Sequence, residues 1–118
     1  MTSQYPKIWI KSQKRAVKRN ETVRKDAEKA VSNALEILYP KYKWNAAFLF
    51  GSIMKKEHFG SRSDVDIALW GLTSSDYYAF VGDVSELVNR PVDVILLEEC
   101  PFAEAIVQKG KKWTPKRK

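Results

Sequence analysis

Apolar residues recur along the first part of the chain with a helical period and then in two short, mostly apolar runs. The helical stripe predicts a helix that begins around Thr22 or earlier, ends at Leu38 and stops before Pro40. Its apolar positions are Val23, Ala27, Ala30, Val31, Ala34, Leu35 and Leu38. The two runs that follow, residues 46–50 and 65–70, have the length and composition of buried strands.

The second half of the chain alternates between the same two patterns. Ser74 or Ser75 is expected to cap a second helix with its own apolar stripe. That stripe consists of Tyr77, Phe80, Val81, Val84, Leu87 and Val88. Residues 90–97 form a β-branched run with proline near its start, and residues 101–106 predict a helix that ends at Gly110. We therefore expect an α/β (α+β) domain, with a short mixed sheet and helices over one face.

A polar loop joins the first two predicted strands, and reactive side chains lie at both of its ends. Gly51 and Ser52 follow the first strand and are expected to open a helix, where free N–H groups favour phosphate. Asp64 and Asp66 project from the same side of the second strand, because side chains alternate along a strand. Adjacent carboxylates repel each other, and ligation by oxygen atoms suits magnesium or manganese. This combination predicts chemistry on a nucleoside triphosphate.

A third carboxylate, Asp93, lies within the β-branched run that forms the next predicted strand. It is flanked by Val92 and Val94, and burial there without a partner would be costly. A place in the metal site is therefore the favoured interpretation. The alternative is that Asp93 faces solvent on an edge strand.

The Gly-Ser turn followed by Asp-x-Asp resembles the signature of the nucleotidyltransferase superfamily that includes DNA polymerase beta. The interval from Ile53 to Ser63 is one residue longer than the commonest form, and Lys55 takes the place of the usual arginine. Gly60 and the Ser63–Asp64 pair match family habit. From about residue 44 to Trp113, the chain is similar to the minimal nucleotidyltransferases, the MNT family. The resemblance thus implies a small nucleotidyltransferase fold.

The resemblance also implies an activity: magnesium-dependent transfer of a nucleoside monophosphate, AMP from ATP, to an acceptor hydroxyl. Asp64 and Asp66 would hold two magnesium ions, and Asp93 would complete the first and help to deprotonate the acceptor. The nucleotide-binding residues carried over are Gly51, Ser52, Lys55, Lys56 and Ser63. Many MNT proteins are antitoxins of a helical HEPN-family ribonuclease, so the implied partner is such a toxin and the implied acceptor a toxin tyrosine.

Charge is distributed unevenly over the 118 residues, whose net charge is +7. Residues 1–25 hold eight Lys/Arg and one acid, residues 109–118 hold six Lys/Arg and no acid, and the middle is acidic. These ends indicate a basic N-terminal arm (residues 1–21), a nucleotidyltransferase domain (residues 22–113) and a basic tail (residues 114–118). Solvated arms are the expected role, and weak, non-specific nucleic-acid binding or contact with an acidic protein surface are alternatives.

Other features narrow the class of protein. The sequence has no apolar run long enough to span a bilayer and no signal-peptide pattern, and Cys100 is its only cysteine. A cytoplasmic protein without membrane contact is therefore expected. His58 has no companion residues for a zinc site. Two alternatives to an enzyme stay open: an inactive module that neutralises its partner by contact, and a nucleic-acid-binding accessory subunit.

Overall fold

The computed structural model describes residues 7–55, 59–60 and 63–116, and for residues 7–20 the description is of the backbone. Three α-helices and four strands follow in the order α1 (Lys7–Tyr42), β1 (Ala46–Phe50), β2 (Val65–Trp70), α2 (Tyr77–Val88), β3 (Val92–Leu96), α3 (Ala103–Lys109) and β4 (Lys111–Trp113). Short 3-10 helices span Gly51–Met54, Ser74–Asp76 and Leu97–Glu99. The α+β class predicted from the sequence is confirmed.

The strands form one mixed sheet in the order β3-β2-β1-β4. β1 pairs antiparallel with β2 and β4, whereas β2 and β3 are parallel. β4 was not predicted, because its three residues include Lys111 and Lys112 and are too few to show an alternating pattern. Both lysines are exposed at this edge of the sheet, where charge discourages pairing with another chain.

Helices α1 and α2 cover one face of the sheet and enclose the main core. Its centre is aromatic: Trp44 contacts Tyr39, Phe80 and Trp113 with ring centroids 5.3, 5.5 and 5.6 Å apart. The short α3 packs on the opposite face through Ile106, in a smaller apolar cluster. The second face is thus only partly covered, and the remainder of it is free to carry polar groups.

The first helix does not stop before Pro40, as the sequence pattern predicted, but continues to Tyr42. Proline removes one intrahelical hydrogen bond, a loss that the last turn of a helix tolerates better than its middle. The extra turn is stabilised because Tyr42 is buried against Phe80 and donates a hydrogen bond to Asp83 at 2.6 Å. Lys43, with φ at 52°, then ends the helix by donating to the carbonyl of residue 39.

The predicted basic arm coincides in part with α1, whose backbone is helical from Lys7 onward. Residues 1–6 and 117–118 lie outside the described residues. The domain boundaries and the role of the basic ends therefore stay predictions. In the part of the chain that the structure describes, no helix is long and apolar enough to cross a membrane.

Candidate active site

The predicted phosphate turn follows β1 directly. Gly51 has φ at +77°, and Gly51–Met54 forms a single 3-10 turn where the sequence predicted a short helix. A Cβ atom on Gly51 would lie 2.3 Å from Oδ2 of Asp66, a distance that no side chain can occupy. The positive φ favours glycine here, and a side chain on residue 51 would also force the Asp66 carboxylate to move. The turn and the second strand are thereby held in contact.

Two of the predicted carboxylates occupy directly paired positions on parallel strands. Asp66 of β2 is the register partner of Asp93 of β3. Neighbouring strands lie about 4.8 Å apart, so two side chains at paired positions on one face are near neighbours. Asp64 is exposed directly before β2 begins and, by strand alternation, belongs to the same side as Asp66. The backbone therefore brings all three aspartates to one end of the sheet.

Asp93 is exposed, and β3 is an edge strand. Asp93 thus faces solvent, which is the alternative that the sequence left open. The cost of burying a carboxylate therefore gives no argument for a role of Asp93 in the site. What distinguishes Asp93 is its place opposite Asp66. A site at the edge of the sheet is also open to solvent.

Within the described part of the chain, no positive charge compensates the electrostatic repulsion at this site. The pKa of Asp66 is raised above the ordinary value of 3.8, chiefly because the half-buried carboxylate is desolvated and further because of the charges on Asp93 and Asp64. Among the described residues, no Lys or Arg forms an ion pair with any of the three. A cluster of this kind attracts cations.

The donor set suits a hard divalent cation, because carboxylate oxygens are its usual protein ligands. The side chains do not converge, however: within the described ranges, no three His, Cys, Asp or Glu side chains are grouped so as to hold one metal ion. The chemistry of the donors and the placement of their backbones fit magnesium. Ligation by all three would require side-chain rotation, which the exposed Asp64 and Asp93 are free to undergo.

The loop before β2 is held by a residue for which the sequence predicted no role. Arg90 donates to the carbonyls of Gly60 and Ser63 at 3.3 and 3.0 Å, and its guanidinium lies 4.8 Å from the ring centroid of Phe59. The hydroxyl of Ser63 accepts a hydrogen bond from the N–H of Gly60, at 2.9 Å. Ser63, which was predicted to bind nucleotide, thus forms hydrogen bonds that hold the loop in this structure. Arg90 was recognisable as the only Lys or Arg between residues 63 and 108.

A second unpredicted arginine holds the phosphate turn itself. Arg24 of α1 donates to the carbonyl of Ile53 at 3.0 Å and pairs with Glu21 at 2.7 Å and with Glu28 at 3.4 Å. By sequence, Arg24 was only one of the basic residues near the N-terminus. Nothing in the pattern of α1 indicates that its polar face meets the turn 29 residues later.

Of the two lysines predicted to bind nucleotide, Lys55 is among the described residues. Lys55 is exposed directly after the turn, and its backbone N–H donates to the carbonyl of Ser52 at 3.0 Å. Lys56 and the loop residue His58 lie outside the described residues.

A mixed sheet with a Gly-Ser turn beside paired aspartates defines a class of domain that handles nucleotides. The family model described as polymerase beta, nucleotidyltransferase, matches residues 33–115, well over half of the chain. The chain therefore belongs to the polymerase beta nucleotidyltransferase family, as its motif predicted. No curated protein matches it.

Solved structures share the fold. A crystal structure of a toxin–antitoxin with AMP-PNP aligns with a TM-score of 0.60 at 20% sequence identity, over 73% of this chain and 74% of that chain. A crystal structure of the toxin–antitoxin MntA-HepT aligns with a TM-score of 0.54 at 19% identity, over 74% of this chain and 72% of that one. At these identities the likeness is one of fold.

Proposed function

We propose that this nucleotidyltransferase moves AMP from ATP to a hydroxyl of a partner protein in the cytoplasm, with magnesium as cofactor. The observation that carries the proposal is the register pairing of Asp66 with Asp93, beside a Gly51 that the Asp66 carboxylate approaches closely. An acidic cluster that no cation of the described residues neutralises, next to a turn whose backbone N–H groups would meet phosphate, suits a triphosphate and its cations.

The phosphate turn has the task of holding the leaving group. The backbone N–H and hydroxyl of Ser52 would bind the β- and γ-phosphates, and Lys55 or Lys56 would neutralise their charge. Gly51 has no side chain and so leaves room for the Asp66 carboxylate directly beside the turn. The turn is rigid on its other side, because Arg24 is bonded to the carbonyl of Ile53.

The aspartates have the task of activating the acceptor. Asp64, Asp66 and Asp93 would hold magnesium, which when bound supplies charge neutralisation at the phosphates and acidifies an attached hydroxyl. The acceptor oxygen forms a bond to the α-phosphorus, the bond to the β-phosphate breaks, and pyrophosphate leaves. Asp93 takes up the hydroxyl proton, a role that its exposed position permits.

The proposed acceptor belongs to a protein, a helical HEPN-type toxin. Support comes from the family resemblance of the Gly-Ser and Asp-x-Asp motifs and from the similar folds, which are those of toxin–antitoxin complexes, one of them with AMP-PNP. In such a pair this chain would be the antitoxin, and modification of a toxin tyrosine would be the neutralising event.

A second candidate function is neutralisation by contact alone. It is favoured by one observation, namely that no three of the described carboxylates converge on a metal position. In that case the fold would have kept its shape and lost its chemistry.

The two candidates are separated by mass spectrometry of the partner. The chain is purified together with the product of the neighbouring gene and incubated with ATP and magnesium. Gain of one AMP by the partner is the expected result. If the partner is neutralised but gains no mass with any of the four common triphosphates, the enzyme hypothesis is wrong and contact neutralisation remains.

A further inference from the structure

On the basis of the proposed nucleotide transfer, the strand order sets the direction from which an acceptor approaches. The phosphate turn follows β1, Asp66 lies on β2 and Asp93 on β3, which is an edge of the sheet. Attacking and leaving oxygens lie roughly in line across the transferred phosphorus. If pyrophosphate leaves on the β1 side, the acceptor arrives from the β3 side.

An open groove of about 450 Å³ lies along this edge, where the C-terminal half of β3 meets the start of α2 and the segment before α3. Ile95 lines it and is two residues from Asp93 on the same face, about 6.6 Å along the strand. Tyr78 and Phe102 also line it and are 84% and 56% exposed. The groove therefore begins one side-chain row from the proposed base and offers two accessible aromatic rings.

Part of the backbone hydrogen-bonding capacity along the free edge of β3 is already used within the groove. The hydroxyl of Tyr77 donates to the carbonyl of Val94 at 2.8 Å, so this outward-facing acceptor has a partner. Addition of a further strand along β3 would have to displace that bond. Recognition by side-chain contact with Tyr78 and Phe102 fits the groove better than strand pairing does.

The charge of the groove and its surroundings indicates which kind of molecule the groove binds. Between residues 63 and 108 the sequence contains nine Asp/Glu and a single Lys/Arg, Arg90. Arg90 donates to two loop carbonyls, whereas Glu99 lines the groove and is exposed. Among the described residues that line the groove, Glu99 alone is charged, and a negative charge there favours basic polypeptide over nucleic acid.

We propose that this groove is the acceptor-recognition surface. It binds a polypeptide segment that inserts an aromatic or aliphatic side chain between Tyr78 and Phe102, flanks it with Lys or Arg, and presents its hydroxyl to Asp93. Partner recognition and catalysis thus share strand β3.

The first test selects peptides from a random phage-displayed library against three forms of the full chain. These are the wild type, the double variant Tyr78→Ser/Phe102→Ser, and a matched control, Ile37→Ser/Leu87→Ser, which removes two exposed apolar side chains outside the groove. Wild type and control should enrich peptides with an aromatic or aliphatic residue flanked by Lys or Arg. A synthetic copy should bind the groove variant about tenfold or more weakly. Equal binding to all three forms, acidic peptides, or no enrichment would overturn the proposal.

A second test locates the peptide without any substitution. Cys100 lines the groove, is half-buried and is the only cysteine of the chain, so its reaction with a thiol reagent reports on occupancy. The selected peptide should slow that reaction at saturation, and Glu99→Lys should weaken peptide binding at low salt. An unchanged thiol rate, with the peptide bound, places the peptide elsewhere and refutes the groove.

Nucleotide binding by the wild type keeps the two proposals apart. If the wild-type chain does not bind AMP-PNP with magnesium, the proposed function fails whatever the peptides do. If it binds the nucleotide, but peptide binding does not depend on Tyr78 and Phe102, only the groove proposal fails.

Discussion

The two faces of the sheet differ in whether their polar and charged side chains have hydrogen-bond or ion-pair partners. On the face covered by α1 and α2, Trp44 and its aromatic neighbours are closely packed, and no buried polar side chain of the described residues lacks a partner. At one end of the other face, Asp66 and Asp93 lie side by side with no cation from the described part of the chain between them. The first face stabilises the fold, and the second holds repulsion that a ligand would relieve.

This difference explains how so small a domain can carry an electrostatically unfavourable site. Repulsion between carboxylates lowers the free energy of unfolding, and the packed face must outweigh it. The structure predicts that substitutions on the packed face cost stability, whereas substitutions on the acidic face cost function.

The largest expected effect is on the packed face. Trp44 is only 2% exposed and contacts three aromatic rings, so Trp44→Ala should lower the free energy of unfolding by about 4–5 kcal/mol. Phe102→Ala, which removes an exposed ring on the other side, should change it by less than about 0.5 kcal/mol. Urea denaturation followed by circular dichroism measures both. Similar losses in the two variants would contradict the division between faces.

The next effect concerns the acidic face. Asp93→Asn keeps the shape of the side chain but removes a proposed ligand and base, so the transfer rate should fall on the order of a hundredfold to a thousandfold. The rate is measured as AMP incorporated into the partner, and partner affinity should stay the same. Asp26→Asn is the matched control, because Asp26 is exposed on α1 and outside the site. A rate within twofold of wild type would remove Asp93 from the mechanism.

Much of this arrangement was predictable because it follows from local patterns. The apolar stripes of α1 and α2 and the three longer strands have the periods that their elements require. The spacing of Gly51, Ser52, Asp64 and Asp66 identified the family, and the structure brings Gly51 and Asp66 into contact.

The unpredicted features depend on contacts between distant parts of the chain. Arg24 appears in the sequence as an ordinary surface cation, and Arg90 stands out only as an isolated basic residue. The carbonyl partners of both are 27 to 30 residues away. Helix α1 runs past Pro40 because of tertiary contacts made by Tyr42, which override the local signal. Strand β4 is too short and too polar for its period to be visible.

A smaller effect tests how the two faces are connected. Arg24 extends from α1 to the carbonyl of Ile53, and its loss should loosen the phosphate turn without altering the aspartates. Arg24→Ala should weaken AMP-PNP binding about tenfold, as expected for one lost charge-assisted hydrogen bond. Lys25→Ala removes the same charge from the neighbouring exposed position and should bind as wild type. Isothermal titration with magnesium present measures both, and equal losses would mean that net charge, not the turn, is responsible.

The smallest expected effect is an increase in stability at the acidic face. Because burial and two neighbouring charges raise the pKa of Asp66, the folded state holds its proton more tightly than the unfolded chain. The stabilisation from that proton is present below about pH 3.8 and is lost as the pH rises through the raised pKa. The asparagine in Asp66→Asn is uncharged at every pH and is not repelled by Asp64 and Asp93. Without magnesium, the melting temperature of this variant at neutral pH should therefore exceed that of wild type by about 2–4 °C. The difference should shrink as the pH falls below the ordinary range of an aspartate.

Magnesium should reverse this order, since a ligand that binds only the folded state raises the melting temperature of the form that binds it. Wild type should gain stability as magnesium is added, and Asp66→Asn should gain little. Asp26→Asn is again the control, and it should follow the wild type at every pH and magnesium concentration. A variant less stable than wild type at neutral pH without metal would contradict the repulsion inferred for Asp66. In that case the acidic face is not the site of unrelieved repulsion that the register of β2 and β3 indicates.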